Sequence, residues 1–110
     1  MKPFDVKEVI GVDMHLEISR GDWIRIFPAL NSENRLMLLE YFYKKGEPVS
    51  YSDTRDENGF TDGNLVYHLN LLLSAKLIDN KTEKTEFGRH PHSFYVITEL
   101  GKNVLETLSI

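Results

Sequence analysis

The chain contains no cysteine, no long apolar run and no surplus of positive charge. The absence of cysteine excludes disulfide bonds, thiolate metal sites and a cysteine nucleophile. The opening segment, MKPFDVKEVIGVDMHLEIS, has no uninterrupted apolar stretch like that of a signal peptide, and no segment is long enough to span a bilayer. We therefore expect a cytoplasmic protein that does not contact membranes.

Positive charge is scarce and unevenly distributed. The net charge of −4 argues against nonspecific binding to nucleic acid, because neutralisation of phosphates supplies most of that affinity. Residues 50–63 have a net charge of −3, from one basic and four acidic side chains, whereas residues 64–102 have +1, from five basic and four acidic. A local basic patch must therefore come late in the chain. The acidic patch at 53–62 consists of Asp53, Asp56, Glu57 and Asp62, with Arg55 among them.

Length and composition indicate one globular domain. The 110 residues are 41% hydrophobic and 27% charged, ordinary for a folded chain but small for an enzyme with a deep cleft. We divide the chain into an N-terminal extension, residues 1–21, and a domain, residues 22–110. Residues 4–19 are ambiguous, because HLEIS alternates like a strand while the segment also suits a short helix. With no phosphate loop, no nucleophile beside a base and no convincing carboxylate pair, an enzyme is not expected.

Apolar spacing predicts two helices in the first half of the chain. Asp22 can cap the first, so the tripeptide RGD at 20–22 is interpreted as a turn and cap, and Pro28 should kink or shorten the helix. Asn31 or Ser32 caps the next helix, 32–45, and Gly46 supplies its left-handed end. The inward positions are Trp23, Ile26, Phe27 and Leu30 in the first helix, and Leu36, Leu39 and either Phe42 or Tyr43 in the second.

A short helix and an amphipathic one follow. Ser50 with Asp53 three residues later forms a capping box for a helix over about 50–57, and Asn58-Gly59 is a turn signal. Thr61 caps the next helix, 61–75, which begins TDGNLVYHLNLLL. Its inward side is formed by Leu65, Leu69 and Leu72, with Leu73 at the edge, and Gly63, Asn64, Tyr67, Asn70, Leu71 and Ser74 lie broadly opposite.

The rest of the chain predicts a hairpin and a last helix. LIDNKTEKTE and SFYVIT are β-prone arms around FGRHPH, giving a wing at 77–98. Thr98 caps a final helix with a narrow seam of leucine and valine. The order of helices followed by a hairpin predicts an α+β fold, a winged helix-turn-helix with a two- or three-stranded antiparallel wing.

Three stretches resemble the winged-helix transcriptional regulators of the ArsR and MarR kind. They are LNSENRLMLLEYF, TDGNLVYHLNLLLSAKLI and GRHPHSFYVITELGKNVLETL, and the second is most like a small bacterial and archaeal subgroup with a TDGNL…HL recognition helix. The resemblance implies a sequence-specific, dimeric DNA-binding regulator. Two positions depart from it: Lys76 stands where glycine is usual and Thr54 where an inward leucine is usual. Without cysteine, a thiolate metal sensor of the ArsR type is excluded.

The amphipathic helix is the candidate for contact with DNA in the major groove. Asn70 suits adenine because its amide offers a donor and an acceptor, and Gly63 would let the backbone approach closely. Arg89, at the tip of the wing, is the candidate for the minor groove or the backbone. A solvated polar face is the alternative for both elements. The full set of candidate DNA contacts is Thr61, Gly63, Asn64, Tyr67, Asn70 and Ser74 on the helix, and Lys81, Lys84, Arg89 and His90 on the wing.

Metal and cofactor sites find little support. His90-Pro91-His92 places two histidines on one turn with no cysteine, which makes a poor site. The run DTRDENGFTDG fails as a calcium loop, because aligning Gly59 with the loop glycine puts Leu65 at the bidentate glutamate position. His68, at the edge of the apolar face, fits a packed boundary residue better than a ligand. We expect no metal and no cofactor.

Two apolar faces suggest a homodimer, which would set two recognition helices about 34 Å apart. The faces could also be ordinary core. The alternative function is a module for protein–protein contact, in which the acidic patch at 53–62 meets a basic partner. The candidate interface residues are Trp23, Phe27 and Leu30 near the start of the domain, and Leu100, Val104 and Leu108 near its end.

Overall fold

The computed structural model describes residues 18–83 and 92–108, which contain five helices and three strands. This arrangement confirms the predicted α+β class and the predicted order of the elements. The elements are α1 (Arg20–Leu30), α2 (Glu33–Lys45), β1 (Val49–Ser50), α3 (Tyr51–Asn58), α4 (Asp62–Ser74), β2 (Ile78–Glu83), β3 (His92–Ile97) and α5 (Glu99–Leu108).

Helix α1 begins earlier than the sequence indicated. Ser19 is its N-cap and accepts a hydrogen bond from the Asp22 backbone N–H at 3.0 Å. The predicted cap at Asp22 is therefore wrong, and the RGD tripeptide forms the first helical turn. Pro28 lies inside the helix, which continues to Leu30. Of the ambiguous segment 4–19, only residues 18 and 19 lie within the described part, and Ile18 packs against the core.

Helix α2 has the ends predicted for it. The Ser32 hydroxyl accepts from the Arg35 N–H at 3.4 Å, and Gly46 closes the helix with a φ of 67°. At the position where either of two aromatic residues could point inward, Phe42 is buried and Tyr43 is exposed. The local capping chemistry thus fixes both ends.

Helices α3 and α4 form the helix-turn-helix pair. Ser50 caps α3 by accepting from the Asp53 N–H, and Gly59 ends it with a φ of 70°. Thr54 is fully buried, and its hydroxyl donates to the Ser50 carbonyl at 2.8 Å. A buried hydroxyl with a partner carries little penalty, so threonine fits the inward position expected for leucine.

The sheet has three antiparallel strands in the order β1-β3-β2. β2 and β3 form the hairpin, with Ile78 opposite Ile97, and β1 adds Val49 opposite Tyr95 on the other side of β3. The sheet is thus the three-stranded form of the predicted wing. Because β1 directly precedes α3, it ties the helix-turn-helix pair to the sheet.

A tight connection joins α4, β2 and α5. Lys76 is left-handed, with a φ of 62°, which costs a non-glycine residue about 1–2 kcal/mol. The Thr98 hydroxyl donates to the Lys76 carbonyl at 2.8 Å and accepts from the Gly101 N–H at 3.0 Å, which caps α5 as predicted. A methyl group at Gly101 would collide with the Leu77 carbonyl, so glycine is required there.

The core lies between the helices and the inner face of the sheet. Val104 is fully buried within the single chain, so its predicted place in a dimer interface is wrong and it belongs to the core. No helix in the described ranges is long and apolar enough to cross a membrane. The fully buried aliphatic and aromatic side chains are Ile26, Leu38, Leu39, Phe42, Leu65, Leu72, Leu77 and Val104.

Candidate nucleic-acid interface

The outward side of α4 carries a short ridge of neutral side chains, formed by Gly63, Val66, Tyr67 and Asn70. At about 100° per residue these four positions fall within an arc of about 100°. Val66 is 45% exposed and Tyr67 is 59% exposed, while the leucines on the opposite side are buried. The helix therefore presents an amide, a phenol and an isopropyl group to whatever it contacts.

Gly63 has no packing reason to be glycine. A Cβ built there meets nothing within 4 Å, and the residue does not have a positive φ. Glycine inside a helix costs up to about 1 kcal/mol relative to alanine. The absent side chain therefore lowers stability and relieves no internal crowding. A glycine of this kind is expected where another molecule approaches the helix backbone closely.

Two of the other helix candidates, Thr61 and Asn64, lie off this ridge. The Thr61 hydroxyl caps α4 by accepting from the Asn64 N–H at 3.4 Å. Asn64 is exposed but lies about 60° around the helix beyond Tyr67. Ser74 is exposed at the C-terminal end of α4 and lies on the same side as the ridge, about 20° around the helix from Gly63. Thr61 and Asn64 can meet a backbone or a solvent layer more easily than the surface that the ridge faces.

Arg35 contacts α4 from the side of the core. It is only 8% exposed. Its Nε donates to the Ala29 carbonyl at 2.6 Å, and its Nη1 lies 3.0 Å from His68 Nδ1. The guanidinium carbon also lies 5.8 Å from the centre of the Tyr67 ring. One buried cation thus connects the end of α1, where it complements the helix dipole, with two residues of α4.

His68 is enclosed by aromatic rings. The centres of the Phe60 and Tyr67 rings lie 5.7 and 5.4 Å from that of the imidazole. Burial lowers the pKa of His68, and the nearby Arg35 charge lowers it further. The side chain therefore accepts a hydrogen bond from Arg35 in its neutral form, with the proton on Nε2. This geometry agrees with the packed boundary residue that the sequence indicated.

The single cation of the acidic patch is already paired. Arg55 lies 2.9 Å from the Asp56 carboxylate and 3.0 Å from the Asp62 carboxylate. The Tyr51 hydroxyl donates to Asp62 at 3.1 Å. The hydrogen bonds from Arg55 and Tyr51 hold the pKa of Asp62 below its usual range. Asp62 therefore fixes α4 against α3, and the Arg55 charge is balanced locally.

A second carboxylate on α3 is held by α2. Glu57 accepts from the Tyr41 hydroxyl and lies 3.3 Å from the Lys45 ammonium. The Tyr41 hydrogen bond is the main reason that the pKa of Glu57 is lowered. Asp53 remains exposed near the start of α3. The outer surface of α3 is consequently acidic.

The wing candidates are only partly described. Lys81 is exposed on β2, whereas Lys84, Arg89 and His90 lie outside the described residues. Within the described ranges, no group of three or more histidine, cysteine, aspartate or glutamate residues could hold a metal ion.

The predicted interface residues divide into exposed and packed groups. Phe27 is 61% exposed with its ring stacked on Trp23 at 4.9 Å, and Leu108 is 49% exposed. Leu30 and Leu100 are partly buried against the core. Ile24, which the sequence reasoning did not single out, is 67% exposed beside Phe27 on α1. The surface of α1 formed by Ile24 and Phe27 is called the α1 apolar surface below.

Sequence reasoning missed two further residues. Val66 lies three residues after Gly63 and four before Asn70, so the helical wheel alone would have placed it on the ridge. Arg35 carried no such signal, because its contacts come from α1 and α4 and depend on tertiary packing. Val66 could therefore have been predicted from the sequence, whereas Arg35 could not.

Comparison with known proteins shows which fold this chain has. No family model and no curated protein matches the sequence. The homodimeric winged helix-turn-helix DNA-binding domain of a possible ArsR-family transcriptional regulator from Mycobacterium bovis superposes with a TM-score of 0.67, at 16% identity over 99% of this chain and 86% of that one. HlyU from Vibrio cholerae N16961 gives 0.64, at 20% identity over 84% and 94%.

A putative MarR-family transcriptional regulator from Porphyromonas gingivalis W83 gives a TM-score of 0.63, at 17% identity over 86% of this chain and 88% of that one. At such identities the likeness establishes the fold. The chain is a winged helix-turn-helix protein of the architecture found among ArsR- and MarR-type regulators, which confirms the predicted class.

Proposed function

We propose that this protein is a sequence-specific transcriptional regulator that binds duplex DNA as a homodimer. Helix α4 enters the major groove, and the wing at 77–98 contacts the backbone or the minor groove. The observation that carries the proposal is the ridge on α4, whose glycine stays open at a cost in stability. The fold supports it, because the second helix of a helix-turn-helix is the element that enters the groove.

The α1 apolar surface supports the dimer. Ile24 and Phe27 expose more than half of their area on one helix, next to the stacked Trp23 ring. Exposed apolar surface of this kind is typical of interfaces between chains. The Mycobacterium bovis domain of similar fold is described as homodimeric. A symmetric pair would place two α4 helices about one turn of DNA, roughly 34 Å, apart.

Selection of bound fragments from genomic DNA, followed by a salt titration, tests the proposal. Asn70→Ala should weaken binding to the selected sequence by about 1–3 kcal/mol and leave nonspecific binding nearly unchanged. Arg89→Ala should weaken binding to every sequence and lower the salt slope by about one, because it removes one phosphate contact. A lack of enrichment at low salt would overturn the proposal.

The acidic outer surface of α3 supports a second candidate, a module that docks a basic protein partner. Arg55 is shared between Asp56 and Asp62, and Glu57 pairs with Lys45, so the surface keeps a net negative charge to which the exposed Asp53 contributes. Asp53→Asn separates the two functions, since it removes one exposed charge without changing shape. DNA affinity should rise in the variant if α3 approaches phosphates, whereas capture of a basic partner should fall if α3 is the docking surface.

A further inference from the structure

The chemistry of the ridge on α4 restricts the base pairs that it can recognise. Specific contacts to guanine in the major groove come mainly from arginine or lysine, and the thirteen residues of α4 include neither. Asparagine pairs with the N6 and N7 edge of adenine, and apolar groups contact the thymine methyl. Asn70 offers the first kind of contact and Val66 the second.

Packing within the described part of the chain does not explain why the exposed position 66 holds valine. It is 45% exposed, although valine is a poorer helix former than most of the polar residues that solvent-facing positions accept. It lies one turn before Asn70, so the two side chains emerge about 6 Å apart. That spacing brings an apolar group and an amide to neighbouring positions along the floor of a groove.

Gly63 completes the arrangement. It lies one turn before both Val66 and Tyr67, and a Cβ there would point into open space. The missing side chain lets the first turn of α4 lie deeper, which a short isopropyl group needs in order to reach a thymine methyl. The phenol of Tyr67 extends farther and can reach the backbone from the same depth.

We propose that α4 recognises A·T base pairs, with Asn70 on an adenine edge and Val66 on the methyl group of a neighbouring thymine. This inference rests on the proposed function, because it names the bases that the DNA-binding surface takes. The guanine edges of the operator are left to other elements or are not recognised. The half-site is therefore expected to have A·T pairs where α4 lies.

Base analogues test each contact separately. Duplexes of a selected sequence are prepared with uracil in place of thymine, which removes the methyl group, or with 7-deazaadenine in place of adenine, which removes N7. In fluorescence anisotropy titrations, uracil should weaken wild-type binding about fourfold, the value of one buried methyl group. Deazaadenine should weaken it about fivefold or more, the lower end for a bidentate contact.

Variants assign the contacts to residues. Val66→Ala should bind thymine and uracil duplexes equally and keep its sensitivity to deazaadenine. Asn70→Ala should show the reverse pattern. Met37→Ala, an exposed apolar side chain on α2, is the matched control and should behave as the wild type in every titration. Because Val66 and Asn70 are both exposed, the variants should melt within a few degrees of the wild type.

Three outcomes would overturn the inference. Selected sites with invariant G·C pairs under α4 would do so, as would wild-type binding unaffected by either analogue. A Val66→Ala variant that keeps the full uracil effect would place the methyl contact elsewhere. In all three cases DNA binding itself persists, so the proposed function stands, whereas no binding to any duplex at low salt overturns both.

Discussion

The buried guanidinium of Arg35 connects two helices of the fold. Its hydrogen bonds end on the Ala29 carbonyl of α1 and on His68 of α4. Removal of one partner from a buried hydrogen bond leaves the others unsatisfied at about 1–3 kcal/mol each. The Arg35 contact with α4 therefore requires a neutral imidazole at His68.

Stability should decrease when His68 is protonated. Its folded pKa lies below the usual 6.5 because burial and Arg35 disfavour the cation. The unfolded chain therefore takes the proton first as the pH falls. The contribution of His68 is fully present above about pH 6.5 and is lost from there down to its folded pKa. Urea denaturation of the wild type and of His68→Gln over pH 5–8 measures it.

The difference between the two proteins is the decisive quantity, because His15, His90 and His92 are present in both. Glutamine keeps an acceptor for Arg35 and does not titrate. We expect the stability advantage of the wild type to shrink below pH 6.5. A constant difference across the range would show that His68 is not held neutral by this contact.

The role of a single residue could be predicted from the sequence when its hydrogen-bond partner lies close by in the chain. Ser32, Ser50 and Thr61 act as helix caps as predicted, since each bonds to a backbone N–H three residues later. The cap predicted at Asp22 is wrong, because Ser19, three residues earlier, caps α1. The Arg35 contacts join residues 6 and 33 positions apart, which no local pattern reports.

At the scale of the element, α4 is both a core helix and the carrier of the exposed ridge for which DNA contact is proposed. The inward leucines Leu65, Leu69 and Leu72 are at most 1% exposed, so packing fixes the inner side of the helix. The outer side is free of such restraint and can be chosen for contact. Apart from Asp62, which pairs with Arg55, and His68, which accepts from Arg35, the polar side chains of α4 are neutral amides and hydroxyls, which add no charge.

Gly63→Ala should separate stability from binding. Alanine is the better helix former and meets nothing within 4 Å, so thermal unfolding should show a gain of up to about 1 kcal/mol. DNA affinity should fall, because the added methyl keeps the first turn away from the groove. A stabilised variant with unchanged affinity would contradict the role given to this glycine.

Gly101→Ala provides the control for that experiment. A Cβ there would lie 2.7 Å from Ile97 Cγ1 and would collide with the Leu77 carbonyl. Overpacking of this kind usually costs about 1–3 kcal/mol, so this variant should lose stability. The change from glycine to alanine is thus expected to raise stability at position 63 and to lower it at position 101.

The elements themselves were largely predictable, apart from the shortest. Helices α2, α4 and α5 have periodic apolar faces, α3 has a capping box, and the hairpin has turn residues between β-prone arms. Strand β1 has only two residues and no pattern of its own. It forms because Val49 and Ser50 pair with Tyr95 and Phe94 of β3, which is a long-range effect.

At the scale of the whole molecule, the α1 apolar surface should decide the oligomeric state. Phe27→Glu places a charge on a side chain that is 61% exposed, so the single chain can accept it. We expect the homodimer to dissociate in sedimentation experiments, because burying that charge between chains is costly. Binding to a two-half-site operator should weaken by tenfold or more.

Met37→Glu adds the same charge on α2, where the side chain is 43% exposed. It should leave the sedimentation behaviour unchanged. If Phe27→Glu remains a dimer while folded, the interface lies elsewhere, and the exposed end of α5 near Leu108 becomes the next surface to test.

The order of the strands also affects the tendency of the protein to aggregate at high concentration. β3, with the sequence HSFYVI, is the strand most prone to pair with other copies, and it lies between β1 and β2. The polar β2, IDNKTE, takes the outer edge and presents alternating charges there. Addition of further strands is therefore disfavoured at the β2 edge, and we expect the folded wing to resist amyloid growth there.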